Sequence, residues 1–283
     1  MASSSQCIVL MATRDRSDIL TRSALPCVRR QTRPPELVVI VNDGGPFSGN
    51  THDAIRKALS PIPIAIIEST GGTGVAAAWN RGLQYLLSLH FKDFVAILDD
   101  DDLWEDDHLS SSIATAAEAE ANVVVSGLRA QIDGETAERA LIRSLSFRQF
   151  LVGNPGWQGS NTFVHMDMFR AVGGFRNGLL SANDRDLAIR LLRDKRCRIG
   201  FTERWTATWR LQTAGHQISS VGSHEKLAGL RWFWHLYGSW MTEEESGVFF
   251  GRATQLFGIG ERVIVQPGND LPGHRRMLGD LDG

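Results

Sequence analysis

The 283-residue sequence lacks three features that would each point to a different class of protein. It has three cysteines, Cys7, Cys27 and Cys197, without a Cys-x-x-Cys pair, which argues against a disulfide framework or a zinc cluster. Thirty basic and 32 acidic residues give a net charge of -2, which argues against bulk attraction to nucleic acid. The longest early apolar run, residues 7–12, is far shorter than the ~20 residues that cross a bilayer. We therefore expect a cytoplasmic protein with no integral membrane segment and no nucleic-acid partner.

Short runs rich in valine and isoleucine alternate with helical patterns over the first 126 residues. The runs at residues 7–12, 37–41, 62–67, 94–98 and 123–125 have the length and apolar character of buried parallel strands. Apolar side chains at helical spacing lie between them, as in Val75, Trp79 and Leu83. This alternation predicts an α/β fold with a Rossmann-like, mainly parallel sheet flanked by helices.

The pattern weakens beyond residue 127, where the segments at 161–165, 186–193, 206–211 and 224–237 do not continue the alternation. No repeat or linker divides the chain, so we expect one compact domain in which residues 127–283 extend the core built by residues 1–126. Pro26 lies inside the first helical pattern, and its missing N–H predicts an irregular helix there.

Seven of the nine residues from Asp99 to Asp107 are acidic, directly after the predicted strand at 94–98. Ligands of open α/β sheets bind beyond the carboxyl ends of the strands, where Asp99 and Asp101 would lie. Carboxylates crowded together favour a hard cation such as Mg²⁺ or Mn²⁺, which could in turn hold a diphosphate. For the last three acidic residues, at positions 105–107, we favour the alternative that they support the start of the next helix.

Six segments, in the same chain order, resemble the family 2 glycosyltransferases of the GT-A fold. They are residues 10–16 (LMATRDR), 31–45 (QTRPPELVVIVNDGG), 71–83 (GGTGVAAAWNRGL), 98–109 (LDDDDLWEDDHL), 172–176 (VGGFR) and 183–187 (NDRDL). A shared order of six segments is far more specific than any single short motif. The resemblance implies a GT-A fold with an acceptor-side extension, and inverting, metal-dependent transfer of a sugar from a nucleoside diphosphate sugar of UDP or dTDP type.

The resemblance also implies roles for individual residues. The first 126 residues would bind the nucleotide sugar, and the donor site would include Thr13, Asp43, Gly72, Asn80, Asp99, Asp100 and Asp101. Asp99 and Asp101 form the D-x-D pair expected to bind the metal. Asp184 would be the general base, because an acceptor hydroxyl is a poor nucleophile until a carboxylate removes its proton.

The second half of the chain would supply the acceptor site and a lid. Trp157 and Gln158, in a Gly- and Pro-containing loop at 154–161, offer indole and amide groups suited to a sugar, although the same loop makes an ordinary turn before a strand. Asp186 is either an acceptor contact or, like Asp184, a helix cap. His216 is either a lid residue that contacts the diphosphate or the metal, or a surface histidine. Asp43 has the alternative of a simple turn residue.

Two departures from the family pattern affect the expected site. Trp79 replaces the usual arginine, which removes a cation from the donor side, and Asn183 replaces the usual glutamate beside the base. Two other classes stay open: a sugar-phosphate nucleotidyltransferase and a catalytically silent GT-A-like binding protein. The segment at 12–16 lacks the glycine-rich, basic loop that triphosphate chemistry needs, which counts against the former. We expect a soluble small-molecule or saccharide acceptor, and the sequence leaves a homodimer open.

Overall fold

A nine-stranded mixed sheet forms the centre of the computed structural model, which describes residues 5–69, 74–211 and 223–266. In chain order the strands are β1 (Cys7–Thr13), β2 (Leu37–Asn42), β3 (Ile64–Glu68), β4 (Phe94–Asp99), β5 (Leu103–Trp104), β6 (Val123–Ile132), β7 (Glu135–Glu138), β8 (Thr162–His165) and β9 (Ile199–Leu211). Across the sheet the order is β3-β2-β1-β4-β8-β6-β9-β5, and β7 pairs with β6 at one end.

The four strands from β3 to β4 are parallel, as the apolar runs predicted. All seven residues of β1 are buried, because the strand lies between two neighbours and has an apolar layer on each face. Successive side chains alternate between these layers: Leu10 packs with Val39 on one face, whereas Val9 and Met11 pack on the other. The register sets Thr13 opposite Asn42 and Ala12 opposite Asp99, so three strands end at one edge of the sheet.

The rest of the sheet comes mainly from the second half of the chain. β8 pairs antiparallel with both β4 and β6, and β6 runs parallel to β9 with irregular register around Gly127. Since β4 and β8 are hydrogen-bonded neighbours, the two halves of the chain share one sheet. The expected organisation, with a nucleotide-sugar-binding half at 1–126 and an acceptor-binding half at 127–283, stays a prediction.

Helices cover both faces of the sheet. They are α1 (Ser17–Ile19), α2 (Leu25–Arg29), α3 (Gly49–Leu59), α4 (Val75–Ser88), α5 (His108–Glu118), α6 (Phe147–Val152), α7 (Met166–Val172), α8 (Asn183–Arg193), α9 (His224–Tyr237), α10 (Glu243–Phe257) and α11 (Glu261–Val265). A π-helical segment, Leu20–Ala24, joins α1 to α2, where Pro26 lies in the first turn. The predicted irregularity of this helix is confirmed. None of the helices in the described ranges combines the length and apolar character that crossing a membrane requires.

Candidate active site

The ends of β1 and β2 form one wall of the candidate site. The N–H of Asp43 donates to the carbonyl of Thr13 at 2.8 Å, which ties the two strand ends together. The Asp43 carboxylate is buried and accepts hydrogen bonds from the Gly74 N–H at 2.9 Å and the Ser69 hydroxyl at 3.4 Å. Arg81 Nη1 lies 3.7 Å from the same carboxylate. Asp43 therefore stabilises the start of α4 and also carries charge into the predicted donor pocket.

Two carboxylates of the acidic run point into the protein. Asp100 is fully buried and accepts a hydrogen bond from the Thr13 hydroxyl at 2.6 Å. Asp102 accepts from the Ser160 hydroxyl at 2.6 Å and the Arg210 N–H at 2.8 Å. Burial raises the pKa of Asp100 to about 6 and that of Asp102 to about 7. For Asp100 the geometry favours a structural role over the predicted contact with the donor, since no part of it is exposed.

Asp99 and Asp101, the first and third aspartates of the acidic run, are partly exposed at the same edge of the sheet. Asp101 accepts a hydrogen bond from Arg16 Nη1 at 2.8 Å, and its side chain is 31% exposed. The pKa of Asp99 is raised well above its usual range, first by burial and then by the neighbouring charges of Asp102, Asp101 and Asp184. The main influences on Asp99 all disfavour its ionised form, and a bound cation would relieve them.

Asp184 is the second residue of α8. Its influence on the pKa of Asp99 brings these two predicted site residues into one electrostatic environment. Burial raises the pKa of Asp184 to about 7, while the ammonium of Lys226 acts in the opposite direction. Lys226 is in the first turn of α9, and its Nζ lies 4.1 Å from the ring centre of Phe257. The charge of the predicted base therefore depends on two opposing influences, its burial and the ammonium of Lys226.

Asp186 lies two residues further along α8 but faces the interior. It is fully buried, and its two oxygens accept hydrogen bonds from Arg176 Nε at 2.9 Å, Arg190 Nη2 at 2.6 Å and the Tyr237 hydroxyl at 2.7 Å. The two guanidinium groups and these bonds lower its pKa despite the cost of burial. The geometry favours the structural alternative over the predicted acceptor contact, because both oxygens are occupied inside the protein.

The loop predicted to bind the acceptor is only partly accessible. Trp157 has no exposed surface, its Nε1 donates to the Thr162 hydroxyl at 2.6 Å, and its ring packs edge-on against Phe150. A fully buried indole cannot lie against a sugar, so in this structure Trp157 belongs to the core rather than to the predicted acceptor site. Gln158 is partly exposed, and its N–H donates to Asn161 Oδ1 at 2.7 Å. Its acceptor role stays a prediction.

Residues 79–81 of helix α4 have different neighbours from those that the third of the six segments predicted. Asn80 is buried and holds the turn after α7: its Nδ2 donates to the Phe175 carbonyl at 2.7 Å, and its Oδ1 accepts from the Phe175 N–H at 2.8 Å. These bonds favour a structural role over the predicted donor contact. Trp79 packs on the ring of Phe175 with 4.5 Å between centroids. Arg81 supplies a cation beside Asp43, which corrects the inference that Trp79 deprives the donor side of one.

The last three acidic residues of the run leave the site and form ion pairs with arginines. The pairs are Glu105 with Arg129 at 2.6 Å, Asp106 with Arg30 at 3.1 Å and Asp107 with Arg204 at 2.5 Å. Asp107 is the residue before α5, but its side chain makes no capping hydrogen bond. Their predicted place at the start of a helix is therefore observed, while surface ion pairing accounts for their charges.

Residues 8–177 match the family described as Glycosyl transferase family 2. The chain belongs to this family. It is a glycosyltransferase, as the six segments of the sequence predicted. A search among curated protein sequences found no significant match.

Solved structures similar to this glycosyltransferase support the same fold. TarS from S. aureus, residues 1–349 in complex with UDP-GlcNAc, is 14% identical over 91% of this chain and 74% of that one, with a TM-score of 0.65. The mannosyltransferase PcManGT from Pyrobaculum calidifontis, in complex with GDP-Man and Mn²⁺, is 15% identical over 89% of this chain and 70% of that one, with a TM-score of 0.60. A longer TarS chain is 44% covered, at 13% identity and a TM-score of 0.61. The predicted GT-A fold is confirmed.

The carboxylates of this glycosyltransferase fit a divalent cation that takes only some of its ligands from the protein. Among residues 5–69, 74–211 and 223–266, no three acidic, histidine or cysteine side chains converge as in a closed metal cage. Mg²⁺ and similar ions often take only one or two carboxylates, and phosphates and water fill the remaining positions. Asp99 and Asp101 supply two such carboxylates, and Asp99 lies in surplus negative charge. Gly72 and His216, also predicted for the donor site and lid, lie outside the described residues.

The structure adds site residues that the sequence did not reveal. Arg16, Arg81 and Lys226 contact or influence predicted carboxylates. Ser160 and Arg210 instead hydrogen-bond to Asp102 in the same acidic run. Arg16 and Arg81 stand in the first and third of the six segments, and Ser160 in the loop at 154–161, so these segments gave a signal. Lys226 and Arg210 are far from their partners in sequence and carry no local pattern that would have identified them.

Proposed function

We propose that this glycosyltransferase moves a sugar from a nucleoside diphosphate sugar of UDP or dTDP type to a hydroxyl of an acceptor, with inversion at the anomeric carbon. TarS and the mannosyltransferase are similar folds in complex with UDP-GlcNAc and GDP-Man, and both compounds are nucleoside diphosphate sugars. These complexes support the donor class. The base type rests on the resemblance described above.

The proximity of Asp184 to Asp99 carries the proposal. Asp99 ends β4 and Asp184 begins α8, yet the charge of Asp184 contributes to the raised pKa of Asp99. A base and a diphosphate-binding carboxylate must lie on the same cavity if one sugar is to leave the diphosphate and meet the acceptor there. The resemblance to the family implies attack from the face opposite the leaving diphosphate, which inverts the anomeric centre.

Asp184 is the residue proposed to act on the acceptor. Its carboxylate accepts the hydroxyl proton while the acceptor oxygen bonds to the anomeric carbon and the bond to the diphosphate breaks. A pKa of about 7 suits this role, because a base close to the working pH is ionised and still basic enough to take the proton. Asp186 would act only through the fold, since its ion pairs fix the start of α8.

The donor nucleotide would lie along the ends of β1 and β2, next to Asp43 and Arg81. Asp99 and Asp101 would hold Mg²⁺ or Mn²⁺ beside the diphosphate. When bound, such an ion supplies positive charge that stabilises the departing diphosphate. Asp43 can accept a hydrogen bond from a base N–H or a ribose hydroxyl, and Arg81 can donate to a base or phosphate oxygen.

Family membership weighs against the two other functions that the sequence leaves open. A nucleotidyltransferase would turn over a nucleoside triphosphate, and a catalytically silent protein would bind a sugar nucleotide without consuming it. No contact in the described part of the chain favours either one specifically.

The proposal is tested by calorimetry of UDP, dTDP and GDP with and without Mn²⁺. We expect Mn²⁺ to strengthen binding of UDP or dTDP by ~10-fold or more in the parent protein, and Asp101→Asn to abolish that gain. Asp106→Asn is the matched control, since Asp106 belongs to the same acidic run but pairs with Arg30 outside the site. Metal-independent binding in the parent protein, or a full metal effect in folded Asp101→Asn, would contradict the proposal.

A further inference from the structure

Arg16 joins the two kinds of carboxylate in the acidic run. It follows β1 and pairs with Asp100 through Nη2 and with Asp101 through Nη1, the latter at 2.8 Å. Asp100 is fully buried, whereas Asp101 is 31% exposed and is one of the two carboxylates expected to hold the divalent cation. One guanidinium therefore connects the interior of the protein with the candidate metal site.

Asp100 holds the Arg16 guanidinium more firmly than Asp101 does. Asp100 also accepts the Thr13 hydroxyl at 2.6 Å, and its burial makes loss of a cationic partner costly. Asp101 is partly exposed, so water can replace the guanidinium there at a much lower cost. The Arg16 side chain is 46% exposed, so it has room to turn. If one contact gives way, it is the contact with Asp101.

An oxygen that accepts a hydrogen bond from Arg16 cannot at the same time be a close ligand of a metal ion approaching from that side. Two cations near one carboxylate also repel each other. A nucleoside diphosphate changes this balance, because its oxygens add ligands to the ion and offer the guanidinium another anion.

We propose that Arg16 is a displaceable counter-ion of Asp101, which competes with the divalent cation and so makes tight cation binding dependent on the nucleoside diphosphate. The inference rests on the proposed function, since it needs the cation at Asp101. It assigns Arg16 a positioning role: Arg16 keeps the Asp101 side chain oriented until donor and cation arrive together.

The test measures Mn²⁺ affinity of the nucleotide-free protein by electron paramagnetic resonance or calorimetry, and repeats it at saturating UDP. In Arg16→Gln we expect nucleotide-free Mn²⁺ affinity to rise by ~10-fold, and the gain from UDP to shrink by the same factor because coupling is reciprocal. Arg16→Lys should fall between the two, since an ammonium lacks the fork that holds two carboxylates at once. Circular dichroism and thermal melting establish that each variant is folded.

Arg14→Gln is the matched control, because it removes the same charge from a side chain that is 62% exposed and pairs only loosely with Asp15. Its Mn²⁺ affinity should match that of the parent protein. The inference is overturned if Arg16→Gln and Arg16→Lys leave Mn²⁺ affinity unchanged, or if Arg14→Gln raises it equally. UDP binding that ignores Mn²⁺ in the parent protein would instead contradict the proposed function, and with it the counter-ion role.

Discussion

Replacing Asp186 with asparagine should cost much of the stability of the fold while leaving the shape of α8 unchanged. The variant removes one negative charge from a fully buried site that faces Arg176 and Arg190. The side chains of these arginines are only 20% and 12% exposed, so water cannot readily take the place of the lost carboxylate. The Tyr237 hydroxyl, 2.7 Å from Asp186 Oδ1, would also face an altered partner.

The size of the effect follows from the burial of the pair. Removing one partner of a buried ion pair typically costs about 3–5 kcal/mol, because the other charge is left uncompensated. In a protein of this size about 1 kcal/mol corresponds to a change of roughly 2–4 °C in melting temperature, so we expect a decrease of about 10 °C. Asp53→Asn is the control, since Asp53 is exposed in α3 and its pair with Arg56 at 3.7 Å should contribute under about 1 kcal/mol.

The same variant makes a prediction about acid stability. The pKa of Asp186 is lower in the folded protein than in the unfolded chain, so its stabilising effect is present above its ordinary pKa of 3.8 and is lost as the pH falls through the lower, folded value. Asp186→Asn should lack that part of the acid dependence. Thermal melting followed by circular dichroism from pH 7 to pH 3 measures both effects. A melting temperature within about 2 °C of the parent protein would refute a stabilising ion network.

Two further predictions use other buried groups. Burial lowers the pKa of His108 from 6.5 to about 3. As the pH drops below 6.5 the unfolded chain therefore binds a proton before the folded protein does, and the free energy of unfolding should fall. Thermal melts of His108→Gln should show a weaker acid dependence than those of the exposed control His235→Gln. Lys226 lowers the pKa of Asp184. Lys226→Met should therefore move the acid limb of the pH–rate profile to higher pH, and Lys226→Arg should restore it. An acid limb that does not move would show that Lys226 does not influence Asp184.

The sequence was informative where a residue type has one dominant environment. The short apolar runs of the first 126 residues are strands, although β3 at the edge of the sheet is only partly buried. The parallel half of the sheet then follows from strand–helix alternation, which brings the strand ends carrying Thr13, Asp43 and Asp99 to one edge. These elements depend on local pattern, and local pattern is what a sequence contains.

The site was harder to predict because neighbouring residues of one type can face opposite ways. Asp184 and Asp186 both begin α8, but the 100° rotation per helical residue turns Asp186 toward Arg176, before the helix, and Arg190, one turn further along it. On α4 the same rotation turns Trp79 toward Phe175 and Arg81 toward Asp43. Trp157 has the composition of a sugar-binding residue, yet tertiary packing buries it completely.

The central claim is that Asp184 removes the acceptor proton, and the most direct test is the transfer rate of Asp184→Asn beside its donor affinity. With a sugar nucleotide and acceptor pair in hand, we expect a rate lower by ~10² to 10⁴ and a nearly unchanged donor Kd, because the proposed donor site lies at the ends of β1, β2 and β4. Asp167→Asn, an exposed change on α7, should match the parent protein. A transfer rate within about threefold of the parent, or loss of donor binding in folded Asp184→Asn, would contradict the assignment of the base.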